Sequence, residues 1–405
     1  MSDERYAVLR IRDFRTALAA RFFDTLGKTM LTVVVGWQVY QLTRDPLPLG
    51  IVGLAEGLPF MLAALYAGHI SDRTEKRRLI LFGQAGALAH AAAFLALAFL
   101  DRPPLVALYL CLALGGLFRS FYWSAMGPYI QMTVPKAIYS KAAAWGSGIF
   151  QIASVAGPAL GGAVYGWKGV QAAYACVAAC FLLAFLFAAA LKPIPAVAAA
   201  QGGGVDDLLS GIRFVLSKPV MLAAMTLDMF GVLFGGVSGV LPVFAAVLGV
   251  GASGLGLLQA APATGALACS LYLAHVHAFR ETGRTFVACV AGFGACILAF
   301  ALSRNFYLSC AILAASGAVD CVGMVLRSSI YQALTPDHLR GRVSSVNGVF
   351  IRSSNEIGYF ESGLAARVMG LVPSVLFGGV MTLVSVAVAL RLAPDLRKFR
   401  LEDVR

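Results

Sequence analysis

Residues 53–59 read Gly-Leu-Ala-Glu-Gly-Leu-Pro, and residues 256–262, 203 positions later, read Gly-Leu-Leu-Gln-Ala-Ala-Pro. Gly53, Leu54, Glu56 and Pro59 thus fall on Gly256, Leu257, Gln259 and Pro262. Upstream, Asp24 and Gly27 are matched 204 positions on by Asp228 and Gly231. Downstream, Gln131, Pro135, Gly157 and Gly162 are matched 201 positions on by Gln332, Pro336, Gly358 and Gly363. One such match is cheap. A series at nearly constant offset divides the chain into two copies of one plan.

That plan belongs to a membrane. Hydrophobic residues fill 59% of 405 positions and charged residues only 13%, whereas roughly a quarter of a soluble chain is charged. The charges gather in short clusters between apolar stretches of about 20 residues, the length that crosses a ~30 Å hydrocarbon core as a helix. Twelve such stretches are legible, six in each copy. The formal charge of +12 would suit nucleic acid, but the basic residues sit on alternate loops. One side carries Arg5, Arg10, Arg12 and Arg15, then Arg73, Lys76, Arg77 and Arg78, and finally Arg397, Lys398 and Arg400. The loops of the other side offer about one each, such as Arg44, Arg102 and Arg304. The positive-inside rule then puts both termini in the cytoplasm and assigns the charge to topology. The eight cysteines match no metal spacing and read as small packing residues.

Residues 193–218 interrupt the pattern. Pro193, Pro195 and Gly202, Gly203 and Gly204 read as a linker. The segment after them sets Leu208, Leu209, Ile212, Phe214 and Val215 against Asp206, Asp207 and Arg213, the pattern of a helix lying on the membrane surface. The expected organisation is a six-helix half over 1–192, a cytoplasmic linker over 193–218 and a second six-helix half over 219–405. Two parallel halves related by an axis along the membrane normal are a transporter plan, with substrate bound between them.

Spans 3, 6, 9 and 12 are almost free of ionisable side chains, with His90 the exception before Arg391. Intramembrane charge is costly against lipid, so every third helix is expected to face lipid and the others a polar interior. Candidates for substrate or proton binding are Asp24, Arg119, Asp228, Asp320, Arg352 and Glu356. Asp24 has two readings, because Arg21 and Lys28 lie one turn away on either side and could satisfy it locally. Asp228 has no cation within a turn of its own helix. A carboxylate in a low-dielectric cavity can take and release a proton near neutral pH. Asp228→Asn is therefore expected to stop proton-driven flux without a folding defect. Arg119 falls on Asp320 at the 201 offset, so opposite charges hold equivalent places. Arg352 and Glu356 share one helix face and serve either each other or a gate. Glu56 and Glu361 lie nearer the outer face and are weaker candidates.

Residues 68–78 run Gly68-His69-Ile70-Ser71-Asp72-Arg73-Thr74-Glu75-Lys76-Arg77-Arg78. This resembles the signature between spans 2 and 3 of the major facilitator superfamily, with Glu75 where a second glycine is usual. Gly157-Pro158 with Gly161-Gly162 resembles the element common in exporters of that superfamily. Leu227-Asp228, the run from Thr335 to Val343 and Ser354-Asn355-Glu356 resemble a bacterial branch that contains siderophore exporters. The resemblance implies an all-α fold of twelve transmembrane helices in two pseudo-symmetric bundles. It also implies gating residues at Gly68, Asp72, Arg73, Arg77, Arg342, Gly157 and Pro158. Asp72 would latch onto the start of span 11 near Gly341–Val343.

The expected protein is a monomeric secondary transporter of the bacterial inner membrane, not an enzyme, with no cofactor, metal or nucleic-acid partner. It would export a small amphipathic molecule, such as a siderophore, a drug-like compound or a lipid-like metabolite, against protons. An importer or uniporter of the same fold, or a membrane scaffold that no longer transports, are the competing readings.

Overall fold

The computed structural model describes residues 7–194, 205–273, 275, 281–336 and 339–400. Among them no strand occurs, and helices joined by short turns make up the described residues. Inside hydrocarbon a helix satisfies its own backbone groups, and apolar runs of this length leave the chain no cheaper choice. The first five helices are α1 (Arg12–Thr43), α2 (Pro46–Arg73), α3 (Lys76–Leu97), α4 (Leu105–Thr133) and α5 (Tyr139–Ala189). After the linker come α6 (Val205–Leu216), α7 (Pro219–Gly235), α8 (Leu241–Val247), α9 (Gly251–Leu273) and α10 (Thr282–Leu302). The chain ends with α11 (Phe306–Leu334), α12 (Arg340–Met369), α13 (Leu371–Leu392) and α14 (Pro394–Lys398).

Among the described residues eight helices are long and apolar enough to cross a membrane. α1 and α12 carry more polar side chains and miss that threshold, though 32 and 30 residues are ample length. α5 holds 51 residues, about 77 Å at 1.5 Å per residue and more than twice the hydrocarbon thickness. It is two crossings, parted at Gly169, whose φ is 82°. Gly370, 201 positions later, parts α12 from α13 with φ 89°. Only glycine takes this left-handed turn without a steric cost. The repeat seen in the side chains is therefore present in the backbone.

Twelve crossings result, with one local departure from expectation. A continuous span over 219–244 is instead broken after Gly235, where Gly236 takes extended backbone (φ −71°, ψ 107°) and the chain restarts as α8. Ser362 Oγ donates to the carbonyl of Gly236 at 2.5 Å, satisfying an acceptor the break frees. α6 meets α7 at 98°, so it lies along the surface if α7 crosses. Val215 is buried on its inner side and Arg213 is exposed.

Contacts group the helices into two compact units. One holds α1, α2 from Ala55 onward, α3, α4, α5 and the start of α9, Gly251–Ala260. The other holds α2 up to Leu54, α6, α7, α8, the rest of α9, and α10 to α14. In the first unit α1 packs chiefly on α5 and α3 on α4; in the second α10 packs on α11 and α13. Small residues set these approaches. A Cβ on Gly162 would stand 2.8 Å from the Cα of Gly256, and one on Gly363 would stand 2.8 Å from the Cα of Gly50. The outer stripe of α13 leaves Phe377, Val380, Val384 and Val388 exposed at helical spacing, and that of α5 leaves Leu182, Leu183 and Leu186 exposed. These apolar stripes on spans 12 and 6 suit lipid, as their lack of charge requires.

Candidate functional site

In the first unit four helices bring charge to one place. α1 supplies Asp24 and Lys28, one turn apart on one face, while α2 supplies Glu56, α3 Gln84 and His90, and α4 Arg119 and Tyr122. A Cβ on Gly116 would fall 2.1 Å from the carbonyl oxygen of Glu56, and one on Gly86 would fall 2.0 Å from the ring of Phe118. Without these glycines α2, α3 and α4 could not close around the site. Arg119 Nη1 meets Glu56 Oε1 at 3.1 Å, and Lys28 Nζ is bonded to Glu56 Oε2. Gln84 Nε2 donates to Asp24 Oδ1 at 2.8 Å. Asp24, Lys28, Glu56, His90, Arg119 and Tyr122 line a pocket of about 390 Å³. Among the described residues, Gln84 Oε1 and Arg119 Nε are buried without a partner in hydrogen-bonding geometry, which leaves polar capacity for water or a solute.

The contact seen for Asp24 is not the local ion pair expected: its carboxylate accepts from Gln84. Lys28 turns to Glu56, and Arg21 lies over the ring of Phe150, 6.0 Å from its centre. Glu56, ranked low by its depth, is the centre of the network because α4 and α1 both reach it.

The second unit has a pocket of about 290 Å³ lined by residues of α7, α10 and α11. Its lining repeats that of the first. Asp228 stands for Asp24, Val232 for Lys28, Val290 for Ala87, Phe293 for His90, Asp320 for Arg119 and Gly323 for Tyr122, all at offsets of 201–204. The two pockets share a frame and differ in chemistry. Two cations and an imidazole in the first are replaced by valine, phenylalanine and a carboxylate in the second. Gln259, at the place of Glu56, keeps its Nε2 buried and unpartnered among the described residues.

Asp228 is paired after all, with Arg327 of α11. The arginine is 6% exposed and lies two turns beyond Asp320 on the same helix. Sequence reasoning missed it by searching only one turn of α7 for a cation; an unassigned arginine inside span 10 was the available signal. Among the described residues Asp320 has no hydrogen-bond or ion-pair partner. Glu361 is also without one, but it lines neither pocket.

Of the other candidates, Arg352 and Glu356 lie half-buried on α12 and line neither pocket. Gly68 has no atom within 4 Å of where a Cβ would stand. Arg73 is exposed as the last residue of α2. Arg77 Nη2 donates to the carbonyl of Ala189 at 2.8 Å, tying the start of α3 to the end of α5. Arg342 Nη1 donates to Ser210 Oγ at 3.2 Å, tying α12 to α6. A Cβ on Gly157 would collide with Thr29 Oγ1 at 1.9 Å, and the carbonyl of Pro158 lies 2.4 Å from where Gly256 would place one. The side chain of Asp72 lies outside the described residues. Lys76, one of the basic cluster after α2, is 7% exposed and donates to the carbonyl of Ser71.

Twelve crossings in two repeated halves are the plan of a transporter of the major facilitator type rather than of an enzyme. A sequence profile for transmembrane secretion effectors matches residues 4–404, and the chain belongs to that family. It is 25% identical over 388 residues to the enterobactin exporter EntS of Citrobacter koseri, covering 96% of this chain and 93% of that protein. The enterobactin exporter of Escherichia coli O1:K1 is 24% identical over 387 residues with the same coverage. A solved bacterial homologue of the human lysosomal transporter Spinster superposes with a TM-score of 0.73 at 12% identity, over 100% of this chain and 99% of that one. The POT family transporter PepTSo superposes with a TM-score of 0.74 at 11% identity, over 96% and 98%. These two share the fold.

Proposed function

We propose that this transporter exports a small amphipathic molecule from the cytoplasm by alternating access, coupled to protons, and that Asp320 is the coupling carboxylate. The observation that carries the coupling is the contrast between the two equivalent pockets. In the first, both carboxylates are engaged, Glu56 by two cations and Asp24 by Gln84. In the second, Asp228 is held by Arg327, while Asp320 shares the pocket with Phe286, Val290 and Phe293 and has no cation on it among the described residues. A carboxylate that must shed or gain charge as its surroundings change is best placed where no fixed cation holds it ionised. Asp228, the coupling site expected from sequence, is less suited because Arg327 holds it.

An amphipathic cargo is supported by the first unit's wide cleft of about 1110 Å³, where Phe14, Tyr139 and Phe150 stand beside Arg21 and Gln131. Rings and a cation suit a molecule that is partly aromatic and partly anionic. The enterobactin exporters among the relatives make a siderophore-like cargo the first class to test. Asp320→Asn is expected to lower proton-driven flux in proteoliposomes at least tenfold while leaving melting temperature and counterflow exchange near wild type. Export with an undiminished response to a proton gradient would remove Asp320 from the coupling role.

The alternating basic loops support an inner-membrane orientation with both termini on the cytoplasmic side. A reporter active only in the periplasm should be silent when fused after residue 205 and active when fused after residue 103. The reverse pattern would invert the topology and the direction of transport with it.

A further inference from the structure

At one end of α10 and α13 the second unit forms a cleft of about 1090 Å³ that transport chemistry does not use. Its walls carry Arg284 of α10, Arg397 and Lys398 of α14, and Arg400 just beyond, with Glu281 as the lining carboxylate. The floor is apolar, built from Leu390, Pro394 and Phe399. Next to it Leu392 is 81% exposed. We propose that this cleft binds the headgroup of an anionic phospholipid, with the acyl chains running along the end of α13.

The cleft is built rather than incidental. The amide of Gly283 donates to the carbonyl of Phe399 at 3.0 Å. A Cβ on Gly283 would stand 1.7 Å from the carbonyl oxygen of Leu396, and Leu396 itself is 1% exposed. The backbone of α14 is thus seated directly on the start of α10, which fixes the basic side chains around the opening.

The charges do not cancel. Glu281 meets Arg284 at 3.3 Å and Arg400 at 3.7 Å. These are exposed pairs, which contribute little and exchange readily. Arg397 and Lys398 are exposed and have no carboxylate partner among the described residues. Four cations against one anion leave a net positive opening suited to a phosphodiester, which accepts from several donors at once.

Position selects the lipid over a soluble phosphate. Both α10 and α13 qualify as membrane spans; α10 begins at Thr282 and α13 ends at Leu392. The cations therefore stand at the boundary between water and hydrocarbon, where each attracts anionic headgroups. A largely exposed leucine beside an apolar floor has no use in binding a free anion. Beside an acyl chain it is in its proper solvent.

Native mass spectrometry of the full chain in mixed micelles of phosphatidylglycerol and phosphatidylcholine tests this. Wild type should retain phosphatidylglycerol preferentially, and R397Q/K398Q should lower that preference about ten- to thirty-fold. Both side chains are exposed, so the melting temperature in phosphatidylcholine should not move. R12Q/R15Q removes two exposed cations of the same expected face and should leave the preference intact. An unchanged preference in R397Q/K398Q would overturn the site. An equal loss in R12Q/R15Q would overturn it in favour of a diffuse positive surface. Release of the lipid by millimolar inorganic phosphate would reassign the cleft to a free anion.

Discussion

Glu56→Gln is expected to destabilise the first unit by about 3–5 kcal/mol, the typical cost of breaking a buried ion pair by removing one partner. The magnitude follows from geometry. Glu56 has a side chain 18% exposed and accepts from Lys28, which is 17% exposed, and from Arg119, which is 29% exposed. Removing its charge leaves two poorly solvated cations beside Asp24, whose carboxylate is already engaged by Gln84. Glutamine keeps the shape, so the loss is electrostatic rather than a cavity. The melting temperature of the detergent-purified protein should fall by several degrees, and expression should fall with it. Lys28→Met combined with Glu56→Gln restores local neutrality, with Asp24 left to balance Arg119. The double variant should recover part of the loss, a non-additivity of about 0.5–3 kcal/mol. A single variant that melts with wild type would mean that water already solvates the cluster.

The fold was legible because two signals agreed. Apolar runs of membrane length counted twelve spans, and matches at 201–204 residues halved them. The backbone adds a match in the same register, the left-handed glycines Gly169 and Gly370. Glycine in sequence does not announce a positive φ, so this pair could be recognised only from backbone angles. The break after Gly235 was hidden for a related reason, since glycine pairs occur within helices as well as at their ends.

Four of the six candidate charges fall together in two pockets, Arg352 and Glu356 do not, and the wiring was not legible. Asp24 and Arg119 share one pocket and Asp228 and Asp320 share its counterpart. A charge inside a span must turn inward, and that rule needs no coordinates. Which charges pair is set by rotation of whole helices against one another, and the one-turn rule sees only a single helix. Hence Lys28 looked like a partner for Asp24 and goes to Glu56, and Arg327 was overlooked. Each error concerns a long, flexible cation that reaches across to a neighbouring element.

Asp228→Asn should therefore behave differently from a silent isosteric change. Asp228 and Arg327 have side chains 14% and 8% exposed, and the guanidinium cannot neutralise itself by losing a proton. Asparagine would leave a buried cation facing a neutral amide, at a cost of about 3–5 kcal/mol. Low expression and a melting temperature lower by several degrees are the expected result. Arg327→Gln alone strands the aspartate, a milder loss because a carboxylate can take up a proton. The double change, Asp228→Asn with Arg327→Gln, removes both charges and should return most of the stability, since replacing an entire buried pair is often nearly neutral. Flux in that double variant then separates structure from coupling. With Asp320 untouched, it should respond to a proton gradient as wild type does. A double variant that is stable yet deaf to the gradient would move the coupling role from Asp320 to the Asp228–Arg327 pair. If Asp228→Asn alone proved as stable as wild type, the pair would not be what holds α7 to α11.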